Sequence, residues 1–273
     1  MGDLTRIAAN IRAMQSLNSL NDINKQIGLH QMRLATGKRI TTVGQDPAGY
    51  QLAKGLEARG RGLNVALKNV NNAKNVLSVA EGGYQNIMDI LQTIKEKATQ
   101  ASDYSLSATQ RSALDSQVSA LVTEIDDIVS TTKFNGNNLV DGTYSGSFHT
   151  GDGASDTLAV SLGDSDSAAL TINSLSLTTV ASAAAAITSV DSAITTLSNK
   201  LQVVGQYQSR LNSKEGTLGV AISNTESVRS SIEDADFAQE QMDVMKLQIL
   251  QQTAFSSFTQ ANAAPQTVLS LFR

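Results

Sequence analysis

The chain of 273 residues contains no cysteine and no tryptophan, and it has only two prolines and two histidines. Without cysteine it can form neither a disulfide nor a thiolate metal site. The two histidines, His30 and His149, belong to no His-Glu-x-x-His zinc motif. Asp152 and Asp156 follow His149 and are candidate metal ligands, but a solvated loop is the better interpretation. We therefore predict no metal site and no cofactor.

Catalytic patterns are also missing from the sequence. No grouping of Ser, Asp and His indicates a hydrolase, because His30 falls in a predicted terminal helix. The glycines between 142 and 153 do not follow the strand-to-helix pattern of a phosphate loop and are typical of turns. We predict that the protein is not an enzyme.

The charge balance excludes another class of function. The formal net charge is −4, whereas a general nucleic-acid binder normally carries a basic face. No apolar run is predicted to be long enough to cross a bilayer, and the first residues do not begin a cleavable secretory signal. We expect neither nucleic acid nor a membrane as a partner. A cytosolic protein fits this pattern, as does one exported by a route that reads no such signal.

Long helices are the main structural prediction. The first apolar stripe follows steps of three and four, which places it on one side of a helix. Its members are Leu4, Ile7, Ile11, Met14, Leu17, Leu20, Ile23, Ile27 and Leu34. Thr36-Gly37 suits the end of this helix, since glycine is the usual residue after a C-cap. Asp46 and Pro47 suit the N-cap and first turn of the next helix.

Heptad repeats continue the helical pattern. The second helix has a seam at Ala66, Val70, Ala73, Leu77, Ala80, Tyr84, Ile87, Leu91, Ile94 and Ala98. A third helix begins at Ser107, with Gln110 completing a capping box. A later seam runs through Ile187, Val190, Ile194, Leu197, Leu201, Val204, Gln208, Leu211, Glu215, Leu218, Ile222 and Thr225. The three polar members of the later seam predict looser pairing there.

Residues 134–179 have a different composition, dominated by Gly, Ser, Asp and Thr. Short alternations at 157–162 and 169–173 predict two or three strands. A helix from Pro47 to Ala98 would be ~78 Å long, whereas a compact globule of this size has a radius of gyration of ~18–19 Å. The expected fold is mostly α: an elongated rod of long antiparallel helices in coiled-coil-like packing, with a small β-rich segment in the middle of the chain.

Apolar residues also lie at the very end of the chain, where chains usually fray into water. We expect frayed ends in the monomer that become ordered when identical copies stack. The predicted polymerisation interface comprises Leu4, Ile7, Ile11, Met14, Leu17, Ile249, Phe255, Phe258, Val268, Leu269, Leu271 and Phe272.

Three segments carry a family resemblance. The stretch SIEDADFAQEQMDVMKLQILQQTAFSSFTQANAAPQTVLSLFR closely resembles the end of bacterial flagellins. RLATGKRITTVGQDPAG near the start and TKFNGNNLVDG at 132–142 resemble two further flagellin segments. The three motifs occur in the right order and cover both terminal thirds. The resemblance implies a structural subunit of the flagellar filament, which self-assembles into a hollow helical propeller for swimming.

The resemblance also implies an architecture and partners. Residues 1–42 and 236–273 would pair as an inner-tube layer, 43–133 and 180–235 would form an outer tube, and 134–179 would face outward. The implied partners are other copies of the chain, the flagellar cap and hook-filament junction proteins, the flagellar export apparatus and an export chaperone. The implied location is the extracellular filament, reached without a cleaved signal peptide.

Two departures from the family pattern affect these expectations. Lys38 stands where leucine is common, and residues 41–46 differ from the usual linker between layers. In flagellins detected by the vertebrate Toll-like receptor, the outer helix reads Leu-Gln-Arg-Val-Arg-Glu-Leu. Here Thr93 replaces an arginine and Lys97 a leucine, so we expect weak or no receptor recognition.

Charged residues flank the expected joint between layers. The predicted joint comprises Arg33, Lys38, Arg39, Asp46, Glu233, Asp234 and Asp236, and Glu240 belongs to the same acidic cluster. The charges could pair within or between subunits, or they could be ordinary solvated faces.

Other functions remain as alternatives at this point. Periodicity alone also fits a free-standing coiled coil or a secretion needle protein. A hook-filament junction protein of the same axial family would share the terminal pattern, and a surface adhesin or immune ligand would use the outward segment. O-linked sugar on Ser or Thr between 143 and 179 is a further hypothesis.

Overall fold

The computed structural model describes the backbone of residues 10–270 and the side chains of residues 10–263. The chain divides into two compact units, one made of residues up to 58 and from 224 onward, the other of residues 59–223. In chain order the elements are α1 (Ile11–Thr36), α2 (Pro47–Ala101), α3 (Ala108–Thr131), β1 (Lys133–Phe134), β2 (Asn137–Asn138), β3 (Ser145–His149), β4 (Thr157–Ser161), α4 (Val180–Glu233) and α5 (Phe237–Ser270). The prediction of a mostly α fold with short strands in the middle is confirmed.

In the first unit, α1 and α5 pack against each other in antiparallel directions. The side chain of Asn10 accepts a hydrogen bond from the Ala13 amide, which caps α1, and donates another to the Ala261 carbonyl at 2.8 Å. Further along the pair, Gln251 Nε2 donates to Asn24 Oδ1 at 2.6 Å. These two hydrogen bonds, one near the start of α1 and one near its middle, fix the register of α1 against α5.

The predicted helix boundaries in the first unit are confirmed. Gly37 follows the last residue of α1 with φ of 69°, a left-handed conformation that glycine adopts without steric cost. Asp46 Oδ1 accepts a hydrogen bond from the Gly49 amide at 2.9 Å, directly before α2 begins at Pro47. An acceptor at this point satisfies an amide that has no partner within the helix.

In the second unit, the heptad seam of α2 forms the middle of the core. All ten predicted positions from Ala66 to Ala98 are at most 1% exposed. Ser107 and Gln110 form the predicted capping box at the start of α3. Leu114, Val118 and Ile125 of α3 are buried against this core. The sequence pattern therefore located this core correctly.

Helix α4 begins at Val180, seven residues before its predicted seam. Two of the polar members of that seam have partners on α2: Gln208 Nε2 donates to Glu81 Oε2 at 2.7 Å, and Glu215 Oε2 lies 2.8 Å from Lys74 Nζ. The polar positions thus link antiparallel helices through specific contacts.

The middle segment contains two antiparallel hairpins, β1–β2 and β3–β4. A strand was predicted at 169–173, and this prediction is wrong. Leu170 and Ile172 are buried as alternation requires, but Thr171 between them has φ of 56°, outside the extended region. The segment is a turn that inserts two apolar side chains into the core.

Polar contacts anchor the middle segment to the helices of the second unit. Asp126 on α3 accepts hydrogen bonds from the amide and the hydroxyl of Ser167, both at 2.8 Å. Asp115 on α3 accepts one from the Leu177 amide at 2.6 Å. The hydroxyl of Tyr84 donates to the Gly163 carbonyl at 2.9 Å, and burial raises the pKa of this tyrosine to about 12. The segment is therefore an integral part of the unit.

One glycine in α2 permits a close approach to the end of α3. A Cβ atom on Gly83 would lie 2.8 Å from Cγ2 and 2.9 Å from Oγ1 of Thr132. Thr132 is the C-cap of α3, and its amide and hydroxyl both bond to the carbonyl of Ile128. Glycine is required at position 83 for contact at this distance.

We expected no stretch apolar enough to cross a membrane, and this expectation is wrong: by length and composition alone, one helix passes that test. An 18-residue window within α4 reaches a mean hydropathy of 1.3. The same helix contributes a buried stripe to the core of the second unit, including Ala183, Val190 and Leu197. Buried residues make up 28% of this window.

Candidate assembly surface

The face that joins α1 to α5 is thin. Among residues 10–263, the buried apolar side chains of these two helices are Ala13, Ile27, Val244 and Leu247. Each large apolar side chain gains ~1.5–3 kcal/mol from full burial, so this small set offers limited stabilisation for two long helices.

A larger set of apolar side chains on the same two helices is exposed. It comprises Ile11, Met14, Leu17 and Met32 on α1 and Phe237, Met242, Met245, Ile249, Leu250 and Phe255 on α5. Met14 is 63% exposed and Ile249 66%. Several large exposed apolar side chains on one helix pair are typical of an interaction site, because soluble monomers rarely expose large apolar patches.

The predicted interface residues have several placements. Ile11, Met14, Leu17, Ile249 and Phe255 are exposed, whereas Phe258 is half-buried. Val268 and Leu269 lie in the described backbone of α5, but their side chains lie outside the described residues, as do Leu4, Ile7, Leu271 and Phe272 in full. The expectation of frayed ends also falls outside the described residues.

Backbone hydrogen bonds join the chain after α1 to the connection between α4 and α5. The Arg39 amide donates to the Glu233 carbonyl at 2.6 Å, and the Ala235 amide donates to the Gly37 carbonyl at 2.9 Å. Between them, Lys38 and Asp234 form an antiparallel bridge. These contacts make a short two-stranded joint within the first unit, which we call the joint.

A buried carboxylate lies beside this joint. Glu233 is 5% exposed, and its two oxygens contact Lys38 Nζ and Arg229 Nη1, the latter at 2.6 Å. Burial alone would raise the pKa of Glu233, but the hydrogen bonds from Lys38 and Arg229 outweigh it and hold the pKa below its ordinary value. Arg229 also contacts Glu226, and this pairing raises the pKa of the guanidinium.

Three predicted joint residues have other partners. Arg33 Nη1 contacts Glu240 Oε1 at 3.2 Å, and the other oxygen of Glu240 makes a very short contact with His30 Nδ1. Asp46 caps α2, and Asp236 caps α5 by accepting from the Ala238 amide at 2.9 Å. The joint itself therefore contains Lys38, Arg39, Glu233 and Asp234.

Sequence reasoning missed two participants, Arg229 and His30. Arg229 could have been found from its spacing, because it lies four residues before Glu233 and three after Glu226 on one helix. His30 had no such signal, since its partner Glu240 is 210 positions away.

The other candidate residues show no catalytic arrangement in the described part of the chain. The carbonyl of His149 accepts a hydrogen bond from Asn69 Nδ2, and Asp152 pairs with Arg59 at 3.0 Å. Among the described residues, no group of three or more His, Asp or Glu side chains is placed to hold a metal ion. Long helices with exposed apolar faces define a mostly helical protein with surfaces suited to association.

Comparisons with known proteins identify the family. Residues 7–145 match the bacterial flagellin N-terminal helical region, and residues 187–272 match the bacterial flagellin C-terminal helical region. Flagellin FlaB1 of Treponema pallidum (strain Nichols) is 32% identical over 97% of this chain and 98% of its own length. The flagellin of Bacillus subtilis (strain 168) is 31% identical over 98% of this chain and 100% of its own length.

A solved structure shows the same fold. A protein described as a flagellar hook-associated protein from Vibrio parahaemolyticus aligns with a TM-score of 0.59, covering 70% of this chain and 100% of its own. At 14% identity the likeness shows the fold alone.

The chain therefore belongs to the bacterial flagellin family. It is a structural subunit of the bacterial flagellar filament, an extracellular polymer of this subunit that serves motility. The alternatives of a junction protein, an adhesin or an immune ligand are not favoured, because flagellins match this chain over nearly its full length.

Proposed function

We propose that the subunit polymerises through the exposed apolar side chains of α1 and α5 together with the apolar residues at both chain ends. The observation that carries the proposal is the imbalance within the helix pair. Among residues 10–263, four apolar side chains of the two helices are buried, whereas ten large ones are exposed. Identical neighbours in the filament would cover the exposed set and supply the missing burial.

Substitutions in the full-length chain test this proposal. Replacing Met14 and Leu17 together by glutamine should raise the concentration of free subunit that coexists with seeded filaments. The control is Tyr104→Gln, in the exposed loop between α2 and α3, where the side chain is 90% exposed. Normal polymerisation of the Met14/Leu17 variant, with unchanged helicity of the monomer, would contradict the proposal.

The layer assignment is a further part of the proposal. Residues 1–42 and 236–273 form the inner layer, 43–133 and 180–235 the outer layer, and 134–179 the outward surface. Protection of backbone amides from exchange in filaments, compared with free subunits, tests this order. The inner segments should gain the most protection, and equal protection along the whole chain would count against the layers.

The joint is proposed to fix the linker between the layers. Arg39 Nη2 donates to the Ile232 carbonyl at 2.8 Å, and the acidic residues Glu233 and Asp234 follow Ile232 in the sequence. Arg39→Glu removes this hydrogen bond and adds a like charge. It should impair polymerisation or change filament shape, whereas Arg39→Gln should have a smaller effect. Motile filaments of normal shape assembled from the Arg39→Glu variant would contradict this role of the joint.

The remaining partners follow from the family and belong to the proposal. They are the cap and junction proteins at the ends of the filament and the export apparatus with an export chaperone, with no cleaved signal peptide. The protein is proposed to have no catalytic activity.

The mass of the amino-terminal peptide from sheared filaments tests the export route, because cleavage of a signal would shorten it.

The sequence of α2 between Leu91 and Lys97 supports the proposal that the vertebrate Toll-like receptor recognises this chain weakly or not at all. Leu91 and Ile94 are buried in the core, and Lys95 pairs with Asp191 at 2.6 Å. Thr93 and Lys97 replace residues of the recognised motif. A receptor reporter assay should give little response to the monomer, and a potent response would overturn this expectation.

A further inference from the structure

The sequence contains one Asn-Gly pair, Asn135-Gly136, and it forms the two-residue turn between β1 and β2. Both residues are exposed, and their φ angles are 48° and 83°. Positive φ at both positions is typical of the type I′ turn of a tight hairpin. The hairpin therefore presents to solvent an asparagine followed directly by a residue without a side chain.

An asparagine in this position can react with its own main chain. The backbone nitrogen of Gly136 bonds to Cγ of Asn135 and gives up its proton, the bond from Cγ to Nδ2 breaks, and ammonia leaves. Water then opens the five-membered succinimide ring and produces either aspartate or isoaspartate, in which the main chain passes through the side-chain carbon. Water is the one other reactant, and nothing is oxidised or reduced. Glycine favours the reaction because it has no side chain to obstruct the approach.

Neighbouring groups neither hold nor shield the reacting atoms. Within the described part of the chain, no hydrogen bond is formed by the side chain of Asn135 or by the amide of Gly136. A Cβ atom placed on Gly136 would have no neighbour within 4 Å. The space in which the ring would form is therefore open.

Ring closure requires the turn to open, and the hairpin resists this only weakly. It has two residue pairs, and three of the four paired residues are exposed. Two-stranded hairpins of this kind are marginally stable in water by themselves. Beyond the strands, the Leu139 amide donates to the Thr132 carbonyl at 3.1 Å. The turn can therefore open while the chain on either side stays anchored.

Two Asp-Gly pairs in the same segment could form the same ring, but their groups are engaged. The carboxylate of Asp141 accepts three hydrogen bonds, two of them from Thr143. Asp152 pairs with Arg59, and the Gly153 amide, which would be the nucleophile, donates to a neighbouring carboxylate at 3.1 Å. A carboxylate is also a poorer electrophile than an amide. These contacts single out Asn135.

We propose that Asn135 is a site of spontaneous deamidation in the folded chain, where it converts slowly to aspartate and isoaspartate. Each conversion adds one negative charge to the formal net charge of −4. Isoaspartate also adds a carbon atom to the main chain within a two-residue turn, which disturbs the pairing of β1 with β2. Because a subunit keeps its place in a polymer, the products should accumulate with the age of the filament.

Peptide mapping of full-length free subunits during incubation at neutral pH tests the site. Residue 135 should convert to aspartate and isoaspartate, and an isoaspartyl methyltransferase should label the second product. Asn173 is the matched control within the chain, since it is exposed in a turn but is followed by serine, whose side chain obstructs ring closure. Its conversion should be about tenfold slower. Equal rates at the two sites would overturn the proposal.

A variant and a change of solvent complete the test. In Asn135→Gln the ring would need six members and close far more slowly, so the methyltransferase label should be lost. Retention of the label by this variant would place the reaction at another residue and overturn the proposal. Conversion of the natural chain in urea but not in buffer would overturn the assignment to the folded turn. Neither readout involves polymerisation, so failure here would leave the proposed function standing.

Discussion

The backbone amide of Arg39 donates a hydrogen bond to the backbone carbonyl of Glu233. This link connects segments that lie 194 positions apart in the chain and sets Glu233 in its buried position beside Lys38 and Arg229. The main chain thus places the carboxylate, and the two cations then keep it ionised. The joint depends on both kinds of contact.

Glu233→Gln should destabilise the free subunit by ~1–3 kcal/mol, because it removes the buried charged acceptor that Lys38 and Arg229 share. Urea unfolding followed by circular dichroism would measure the change. Glu226→Gln is the control, since Glu226 is exposed and also contacts Arg229. Equal stability of Glu233→Gln and the natural chain would show that the buried contacts contribute nothing.

The stability of the free subunit should depend on pH through Glu233. Its pKa is lowered in the folded state by Lys38 and Arg229 against the effect of burial. The folded state therefore binds fewer protons, and this contribution is fully present above the ordinary glutamate pKa of ~4.3 and is lost as pH falls below it. Unfolding free energies at pH 6 and pH 3.5 should differ less for Glu233→Gln than for the natural chain. An identical difference would contradict this role.

Thr171→Asn should stabilise the free subunit by ~0.5–1 kcal/mol. A β-branched residue is strained at the observed φ of 56°, whereas asparagine tolerates this conformation. Asn135, with φ of 48° in the β1–β2 turn, provides the reverse test, and Asn135→Thr should be destabilising. Melting temperatures of the two variants should move in opposite directions, and a shift in the same direction would exclude backbone strain as the cause.

The pair Lys74–Glu215 should contribute only ~0.2–1 kcal/mol to the attachment of α2 to α4. Both side chains are about one third exposed, so water and salt screen their attraction. A double-mutant cycle with Lys74→Met and Glu215→Met gives the coupling energy directly. The coupling should fall in 1 M salt, and an undiminished value would indicate a contact that salt does not screen.

Periodic features of the fold could be predicted from the sequence because their causes are local. The heptad seam from Ala66 to Ala98 repeats without a break, and the capping box at Ser107 and Gln110 needs only four residues. Gly37 likewise signals the end of α1 by its own conformational freedom. In each case, nearby residues decide the structure.

Features that depend on distant partners were harder to predict. Alternation at 169–173 indicates a strand, but the segment buries Leu170 and Ile172 from a turn in which Thr171 has a positive φ. The charge pattern sets Arg33 opposite an acidic cluster that includes Glu240, but it does not say which member of the cluster is its partner; in the structure it is Glu240 on α5. Sequence patterns predict whether such residues are buried or charged, but they do not predict which distant residues they contact.

The contact between Gly83 and Thr132 has an evolutionary consequence. Because no side chain fits at position 83 while threonine caps α3, the two sites should vary together among flagellins. A relative with alanine at the first site should have a smaller residue, such as serine or glycine, at the second. A substitution at one of the two sites would then be tolerated only together with a matching substitution at the other.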